Sequence, residues 1–180
     1  MNSAYTPSED SYLLKSVIPK YVKSKSVLDM GSGSGILAET AINSKAKSVL
    51  AADINIESIK ILNSKKIPCI KSNLFSKVNK KFDVIIFNPP YLPEDKREPK
   101  SSALETTGGK NGGEIILKFL KQAKSHLNKK GIILLLLSSL TPRNKIIFLL
   151  AKNSMSYQVI AKQKFFFEEL EVWKIYHNNQ

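Results

Sequence analysis

The four consecutive residues Asn88-Pro89-Pro90-Tyr91 carry the clearest chemical signal in this sequence, directly after the apolar run Phe82–Phe87. The Asn88 side-chain oxygen and the Pro89 carbonyl can each accept one N–H bond, and proline has no N–H of its own to compete. Both prolines fix φ, and the tyrosine ring can stack on a planar group. The segment also fits an ordinary turn after a strand. As a site, it suits holding a planar NH2 group with its nitrogen aimed at an electrophile, so all four are candidate catalytic residues.

A glycine-rich turn, Gly31-Ser32-Gly33-Ser34-Gly35, lies between a strand-like segment and a helix-like segment. Glycines in such a turn let the backbone bend tightly and approach a ligand closely. The Gly-x-Gly-x-Gly spacing is one residue shorter than the dinucleotide fingerprint, and Asp29 precedes the first glycine. Both details favour S-adenosylmethionine over NAD. We expect the Asp29 carboxylate to organise the amino acid end of that cofactor and the turn around it.

Two further positions follow the next strand-like segments and are candidates for binding the rest of the cofactor. Asp53 ends the second strand-like segment, where a carboxylate can accept both ribose hydroxyls, although it could instead cap the following helix. Asn73 and Leu74 follow the third. The amide could read the adenine edge while the leucine packs on the ring, but Asn73 is equally typical of a plain turn.

The chemistry implied by these residues needs neither an acid nor a metal. Methyl transfer from a sulfonium is an in-line displacement, and its leaving group is neutral after departure. Positioning and hydrogen bonds that localise the lone pair of the nucleophile are what accelerate it. The hypothesis is therefore a methyltransferase that modifies an amide or an exocyclic amine.

Strand-like and helix-like segments alternate along the chain, which predicts an α/β fold with a mostly parallel sheet and helices on both faces. A short connection between the last two strands predicts a C-terminal antiparallel hairpin. The pattern therefore predicts the class I S-adenosylmethionine-dependent methyltransferase fold, with a seven-stranded sheet in one domain spanning 1–180. The predicted strands are 26–30, 48–53, 67–71, 82–88, 131–138, 156–163 and 169–176, and the predicted helices are 9–21, 36–43, 54–64, 114–127 and 142–152.

Two segments outside this alternation are expected to cover the site. Residues 92–113 are polar and contain two prolines and four glycines. Long loops in compact domains are commonly functional, and this one follows Tyr91 directly, so we expect an active-site loop. We expect residues 1–24 to form a helical lid segment.

Composition sets wide bounds on partners and location. The net charge of +13 comes from 28 basic and 15 acidic residues, but only Arg97 and Arg143 are arginines. The charge favours anionic partners such as RNA or the ribosome. Nucleic-acid readers rely on arginine for bidentate contacts, so a lysine-rich compositional bias explains the charge equally well.

The single cysteine, Cys69, excludes an intramolecular disulfide, and with two histidines it leaves no metal-ligand cluster in the sequence. A small buried thiol in a strand is the favoured interpretation, with a redox role as the alternative. The apolar run Ile132–Leu137 is too short to span a bilayer, and the first ten residues are polar rather than a signal peptide. We therefore expect no membrane association and a cytoplasmic location.

The chain resembles the glutamine methyltransferases of class 1 release factors, specifically the short archaeal and eukaryotic branch of the HemK-like group. The resemblance covers nearly the whole chain, and its first and last motifs are the ones that generic methyltransferases lack. The matching segments are Tyr5–Leu14, Asp29–Gly35, Ala52–Asn55, Asn88–Tyr91 and Gly108–Gly112. Bacterial relatives carry a helical substrate-binding domain before the catalytic one. Only four residues precede Tyr5 in the sequence, and we therefore expect the chain to belong to the short branch.

The resemblance implies a specific substrate, cofactor site and partner. The substrate would be the Gln of the Gly-Gly-Gln loop in a release factor. Ser11 and the turn Pro7–Asp10 would help to close over the cofactor. The partner would be a small zinc-binding activator protein, forming a heterodimer along the predicted edge strand Ile67–Ile70. Asn73 departs from the Asp often found in relatives. Cofactor contacts would come from Asp29, Gly31, Asp53, Asn73, Leu74 and Asn88.

Three other functions are compatible with the same residues. An adenine-amine methyltransferase on DNA or RNA would use the same clamp, Asn88–Tyr91, but it must extrude its base and has only the 92–113 loop for recognition. A protein lysine methyltransferase would need a base to deprotonate the lysine, and none is evident. A non-catalytic subunit would not need to retain Asp29, Asp53 and Asn88.

Overall fold

The computed structural model describes residues 8–95, 97 and 106–178. The start of the opening motif, including Tyr5 and Pro7, and part of the 92–113 loop, including Pro99, lie outside the described residues. The helices are α1 (Glu9–Val17), α2 (Pro19–Val22), α3 (Ile36–Asn43), α4 (Ile56–Ser64), α5 (Glu114–Ala123) and α6 (Arg143–Lys152), with a 3-10 turn at Lys124–His126. The strands are β1 (Ser26–Met30), β2 (Ser48–Asp53), β3 (Cys69–Lys71), β4 (Phe82–Phe87), β5 (Leu127–Ser138), β6 (Met155–Lys164) and β7 (Glu169–His177).

The described strands form one seven-stranded sheet in the order β3-β2-β1-β4-β5-β7-β6. β1 to β5 run parallel, and β7 runs antiparallel to both β5 and β6. The predicted fold class, a mostly parallel sheet with a C-terminal antiparallel hairpin, is confirmed. The strand order reverses between β1 and β4, whose ends pair at Met30 and Phe87. Ligands of open α/β sheets bind at the carboxyl ends of the strands beside such a reversal.

Both faces of the sheet are buried, which explains why its central strands are continuously apolar. Alternate residues of β4 serve opposite faces. Ile85 and Phe87 pack in the cluster that contains Phe119 of α5, whereas Val84 and Ile86 pack in the cluster that contains Leu14 of α1. The N-terminal helix is thus part of the core and positions the residues at its own start.

The helix predicted over 114–127 ends earlier than expected. α5 stops at Ala123, a 3-10 turn follows, and Leu127 already belongs to β5, where it pairs with Phe82. The apolar spacing of Ala123 and Leu127 fits a helix as well as the start of a strand, and pairing with β4 decides the outcome. A register shift in that pairing accompanies the extension.

Two smaller predictions are also corrected. α4 begins at Ile56 rather than Ile54, because the Asn55 side chain accepts a 3.0 Å hydrogen bond from the Glu57 N–H and caps the helix. Cys69 lies in β3 but is half-buried rather than buried, since β3 is an edge strand. No helix in the described part of the chain is long and apolar enough to span a membrane.

Replacing Phe119 should be among the most damaging changes to this core. Its side chain is fully buried, and its ring centroid lies 5.4 Å from that of Phe75 and 4.4 Å from that of Phe87. We expect Phe119→Ala to lower the free energy of unfolding by about 3–5 kcal/mol through lost contacts and a residual cavity. Urea denaturation measures the change. Phe148→Ala is the control, because Phe148 is 72% exposed, and equal losses in both variants would contradict this packing.

Candidate active site

A cavity of about 540 Å³ lies at the carboxyl ends of the first four strands. Its wall is built from residues that follow β1, β2, β3 and β4, from the start of α1, and from Ile115 and Lys118 of α5. Neither α5 residue was predicted, because the helix carried only a core pattern in the sequence. The predicted site residues that line the cavity are Ser11, Gly31, Gly33, Asp53, Asn73, Leu74, Asn88, Pro89, Pro90 and Tyr91. Asp29 and Gly35 do not line it.

Asp29 lies behind the glycine-rich turn and holds its shape. The side chain is fully buried, and Oδ2 accepts hydrogen bonds from the Ser32 hydroxyl at 2.5 Å and the Ala38 N–H at 3.0 Å. These bonds tie the turn to the first turn of α3. Burial raises the pKa of Asp29 to about 7, the bonds from Ser32 and Ala38 oppose the rise, and the nearby Asp53 carboxylate adds to it.

The glycine-rich turn is fixed from two sides. The Gly31 N–H donates to the Ala52 carbonyl at 2.7 Å, and the Gly33 N–H donates to Asp53 Oδ2 at 2.7 Å. Gly35 adopts φ +85°, and a Cβ there would lie 2.9 Å from a methyl group of Leu62. Gly35 is therefore needed for close packing against α4, while the backbone of the first two glycines faces the cavity.

The Asp53 carboxylate lines the cavity and is held by several donors. Oδ2 accepts the Gly33 N–H and Oδ1 accepts the Asn55 N–H at 2.8 Å, and the Ile54 N–H and the Ser58 hydroxyl also donate to the carboxylate. A pair of bound hydroxyl groups would therefore share or replace some of these donors. Asn55 caps α4, so the alternative prediction that Asp53 is the cap is wrong. Burial raises the pKa of Asp53, opposed chiefly by the hydrogen bonds from Asn55 and Gly33.

Asn73 and Leu74 form the wall beyond β3. Asn73 is exposed, and its N–H donates to the Ser76 hydroxyl at 3.2 Å. Leu74 adopts φ +49° and is partly buried against the core, with its carbonyl accepting the Ser72 hydroxyl at 2.6 Å. Their position agrees with a binding wall, and their contacts with an adenine ring stay a prediction.

The Asn88 amide has a defined orientation. Its Nδ2 donates to Asp10 Oδ2 at 3.1 Å and to the Ser11 hydroxyl at 3.2 Å, both at the start of α1. Asn88 Oδ1 is buried and has no hydrogen-bond partner in residues 8–95, 97 and 106–178. An ionised carboxylate only accepts, so Asp10 holds the NH2 end and leaves the oxygen unsatisfied. The sequence predicted Asp10 only as part of a turn over the cofactor. Its contact with Asn88 joins positions 78 residues apart, which local patterns do not reveal.

The glycine element 108–112 packs closely against the backbone of the Asn-Pro-Pro-Tyr segment. A Cβ on Gly108 would lie 2.7 Å from the Pro90 carbonyl oxygen, and one on Gly112 would lie 2.4 Å from the Tyr91 carbonyl oxygen. Gly112 also adopts φ +76°. The Glu114 carboxylate fixes this element by accepting the N–H groups of Asn111 and Gly113. A side chain at either position would displace the backbone of Asn88–Tyr91, and this explains why glycines occupy positions 108 and 112.

No group of three or more His, Cys, Asp or Glu side chains that could hold a metal ion occurs in the part of the chain that the structure describes.

Comparisons with known proteins agree on one kind of chemistry. Residues 3–167 match the family model described as the methyltransferase small domain. A candidate protein N5-glutamine methyltransferase from Methanocaldococcus jannaschii is 38% identical over 95% of this chain and 92% of its own length. A release factor glutamine methyltransferase from Borreliella burgdorferi is 34% identical over 62% of this chain and 44% of its own length.

Among solved structures, the E. cuniculi Mtq2-Trm112 complex, described as responsible for methylating the translation termination factor eRF1, contains a similar fold. Its TM-score is 0.80 with 24% identity, over 98% of this chain and 99% of that chain.

The buried Asp29 carboxylate should make stability depend on pH. Its pKa is about 7 in the fold against an ordinary value of 3.8, so the folded state binds this proton more tightly. The contribution of Asp29 to the free energy of unfolding is therefore fully present at pH values below 3.8, and it is lost as the pH rises through about 7. We expect the wild type to lose up to about 4 kcal/mol from this group across that window, and Asp29→Asn to lose none of it. Urea denaturation at pH 4.5 and 8 measures the difference. A wild-type-minus-variant difference that stays flat with pH would contradict it.

Gly112 should tolerate no side chain. Gly112→Ala adds a Cβ 2.4 Å from the Tyr91 carbonyl oxygen at a backbone φ of +76°. We expect the free energy of unfolding to fall by about 2 kcal/mol or more, because both the strain and the clash must be relieved. Thermal denaturation measures it, with Lys110→Ala as a control at an exposed position of the same loop. A Gly112→Ala protein as stable as that control would contradict the close approach.

Proposed function

Because this chain belongs to the methyltransferase small domain family, and within it to the protein N5-glutamine methyltransferases, we propose that it methylates the Gln side-chain amide in the Gly-Gly-Gln loop of a class 1 release factor. The resemblance to HemK-like enzymes noted in the sequence is thereby confirmed. The observation that best supports an amide NH2 group as the acceptor is the orientation of the Asn88 side chain. Its NH2 end is held by Asp10 and Ser11, and its oxygen is buried without a partner among the described residues.

S-adenosylmethionine is the cofactor of this family, and it supplies a methyl group made electrophilic by a positively charged sulfur. The residues of the cavity fit it. The volume of about 540 Å³ lies in the range of small-molecule sites, and the backbone of Gly31 and Gly33 borders it without side chains. Asp53 lines the cavity at the end of β2, where its carboxylate would accept the ribose hydroxyls, and Ile54 and Leu74 offer apolar surface suited to a purine.

The proposed roles of the chain's own residues in methyl transfer are positioning and polarisation. Asn88 Oδ1 and the Pro89 carbonyl would each accept one N–H of the target amide. Accepting those hydrogens draws electron density towards the nitrogen and localises a lone pair that is otherwise delocalised into the carbonyl. The bound cofactor would supply the methyl group to the nitrogen held in this way, and the surplus N–H proton of the target amide would pass to water. Tyr91 would cover the target plane, consistent with its position on the cavity wall.

The proposed binding roles of Ser11 and Asp29 differ in kind. Ser11 lines the cavity and its hydroxyl accepts a hydrogen bond from Asn88 Nδ2, so it would both bind the cofactor and orient the Asn88 amide. Asp29 would act through the turn that it holds. We treat 1–180 as one methyltransferase domain, with 1–24 as a lid segment and 92–113 as the active-site loop. Support comes from the cavity wall, which includes Ser8 and Asp10 on one side and Leu92 and Thr106 on the other.

The proposed partner is a small activator protein, zinc-binding in the family this chain resembles. The E. cuniculi relative is a complex with Trm112. β3 is the edge of the described sheet, and Cys69 and Ile70 in it are half-buried, which leaves a free strand edge for pairing. A substrate that acts in translation termination would place the pair in the cytoplasm. Adenine and lysine remain alternative acceptors, and the experiment below separates them from glutamine.

The test is incubation with labelled S-adenosylmethionine, with and without the activator, and with either a Gly-Gly-Gln release factor, its Gln→Lys counterpart, DNA or RNA. We expect label in the glutamine protein alone. Asn88→Ala should reduce transfer at least about a hundredfold, because the clamp loses its side-chain acceptor. Cofactor binding by calorimetry should change little.

Asn43→Ala, at an exposed position of α3, is the matched control and should retain full turnover. Label confined to nucleic acid, or to the lysine counterpart, would overturn the glutamine assignment. Full turnover by Asn88→Ala would overturn the clamp mechanism even if glutamine is the acceptor.

A further inference from the structure

Two phenylalanines stand in solvent at the tip of the β6–β7 hairpin. Phe166 is 93% exposed and Phe167 is 86% exposed, and their rings meet edge to face with centroids 4.7 Å apart. The next most exposed large apolar side chain in the described residues is Phe148, at 72%. Adjacent exposed aromatics of this kind are typical of surfaces that are covered by a partner.

Hydrogen bonds hold the backbone of the hairpin tip. The Phe165 N–H donates to the Glu168 carbonyl at 2.7 Å, which closes the turn. Glu168 Oε2 accepts the Ser138 hydroxyl at 2.6 Å, and the Glu169 N–H donates to the Ser139 hydroxyl at 3.0 Å. Phe165 packs against the core cluster on the α1 side of the sheet. The backbone that carries the two exposed rings is therefore held in place, which reduces the entropy that the turn loses on binding.

A groove of about 410 Å³ runs between this tip and the start of α1. Phe165–Phe167 and Leu170 form one side, and Ser8–Asp10 and Tyr91 form the other. Ser8, Asp10 and Tyr91 line the catalytic cavity as well. The groove is thus continuous with the end of the cavity where Asn88–Tyr91 would hold the target amide, not with the end that would hold the nucleoside.

The charge in the groove is opposite to that of the chain. Glu9, Asp10 and Glu168 line it, in a protein whose net charge is +13. Local carboxylates beside aromatic rings favour a segment that carries both an apolar and a basic side chain, because each contact is complementary.

We propose that this groove binds the polypeptide of the release factor next to its acceptor glutamine, with an apolar side chain against Phe166 and Phe167 and a basic side chain towards Glu9 and Glu168. This inference rests on the proposed function, since the groove shares Ser8, Asp10 and Tyr91 with the cavity that the glutamine would enter. The hairpin then determines recognition of the protein substrate and takes no part in the transfer itself.

Steady-state kinetics with the intact release factor, using the enzyme together with its activator, tests the groove. The Phe166→Ala/Phe167→Ala double variant should raise KM for the release factor about tenfold and leave kcat within about twofold, because aromatic anchors supply a large share of binding energy. The Kd for S-adenosylmethionine and the thermal midpoint should be unchanged. Phe166→Leu/Phe167→Leu should recover most of the lost affinity, since it keeps an apolar surface.

Phe148→Ala is the matched control, because Phe148 is an exposed phenylalanine on α6 that lines neither the cavity nor the groove. Two results would overturn the proposed role of the groove and leave the proposed function intact, provided that the wild-type enzyme methylates the glutamine. The first is a double variant that keeps the wild-type KM, and the second is an equal rise in KM for Phe148→Ala. A wild-type enzyme that does not methylate the release factor overturns the proposed function and this inference with it.

Discussion

The fixed orientation of the Asn88 amide is the interaction on which the rest of the site depends. An amide side chain can present either its oxygen or its NH2 group, and only the oxygen can accept a hydrogen from a target NH2. The Asp10 carboxylate and the Ser11 hydroxyl decide the orientation by taking both hydrogens of Nδ2. The remaining elements bring these three residues together and keep them there.

Two supports converge on that interaction from opposite faces of the sheet. On one face, α1 is anchored by fully buried Leu14 and neighbouring apolar residues, so its first turn reaches the end of β4. Beyond β4, the glycine element 108–112 passes so close to the Pro90 and Tyr91 carbonyls that no side chain fits between them. Asp29 and Asp53 shape the neighbouring turn. Burial raises the pKa of both carboxyl groups, so their ionised forms destabilise the fold while they hold the binding surface in place.

The sequence predicted the elements that carry strong local signals. β1, α3 and β2 have the predicted bounds, because apolar strands and a glycine turn define them without help from distant residues. The start of α4 was corrected by a local cap at Asn55, whereas the other corrected segments depend on distant contacts. Leu127 fits the spacing of α5 but joins β5 by pairing with Phe82, and Cys69 is half-buried because β3 is an edge strand. At the site, residue types at strand ends identified most of the cavity wall. Three features have no local signature because they depend on tertiary contacts. They are the hydrogen bond between Asp10 and Asn88, the position of Lys118 in the cavity wall, and the groove beside the β6–β7 tip.

A crystal structure with the demethylated cofactor and a Gly-Gly-Gln peptide would show whether Asn88 holds a glutamine amide through its oxygen. We expect the target amide nitrogen within hydrogen-bond distance of both Asn88 Oδ1 and the Pro89 carbonyl, with Asn88 Nδ2 still on Asp10. A target amide bound away from Asn88, or an Asn88 side chain turned so that its NH2 faces the target, would contradict it.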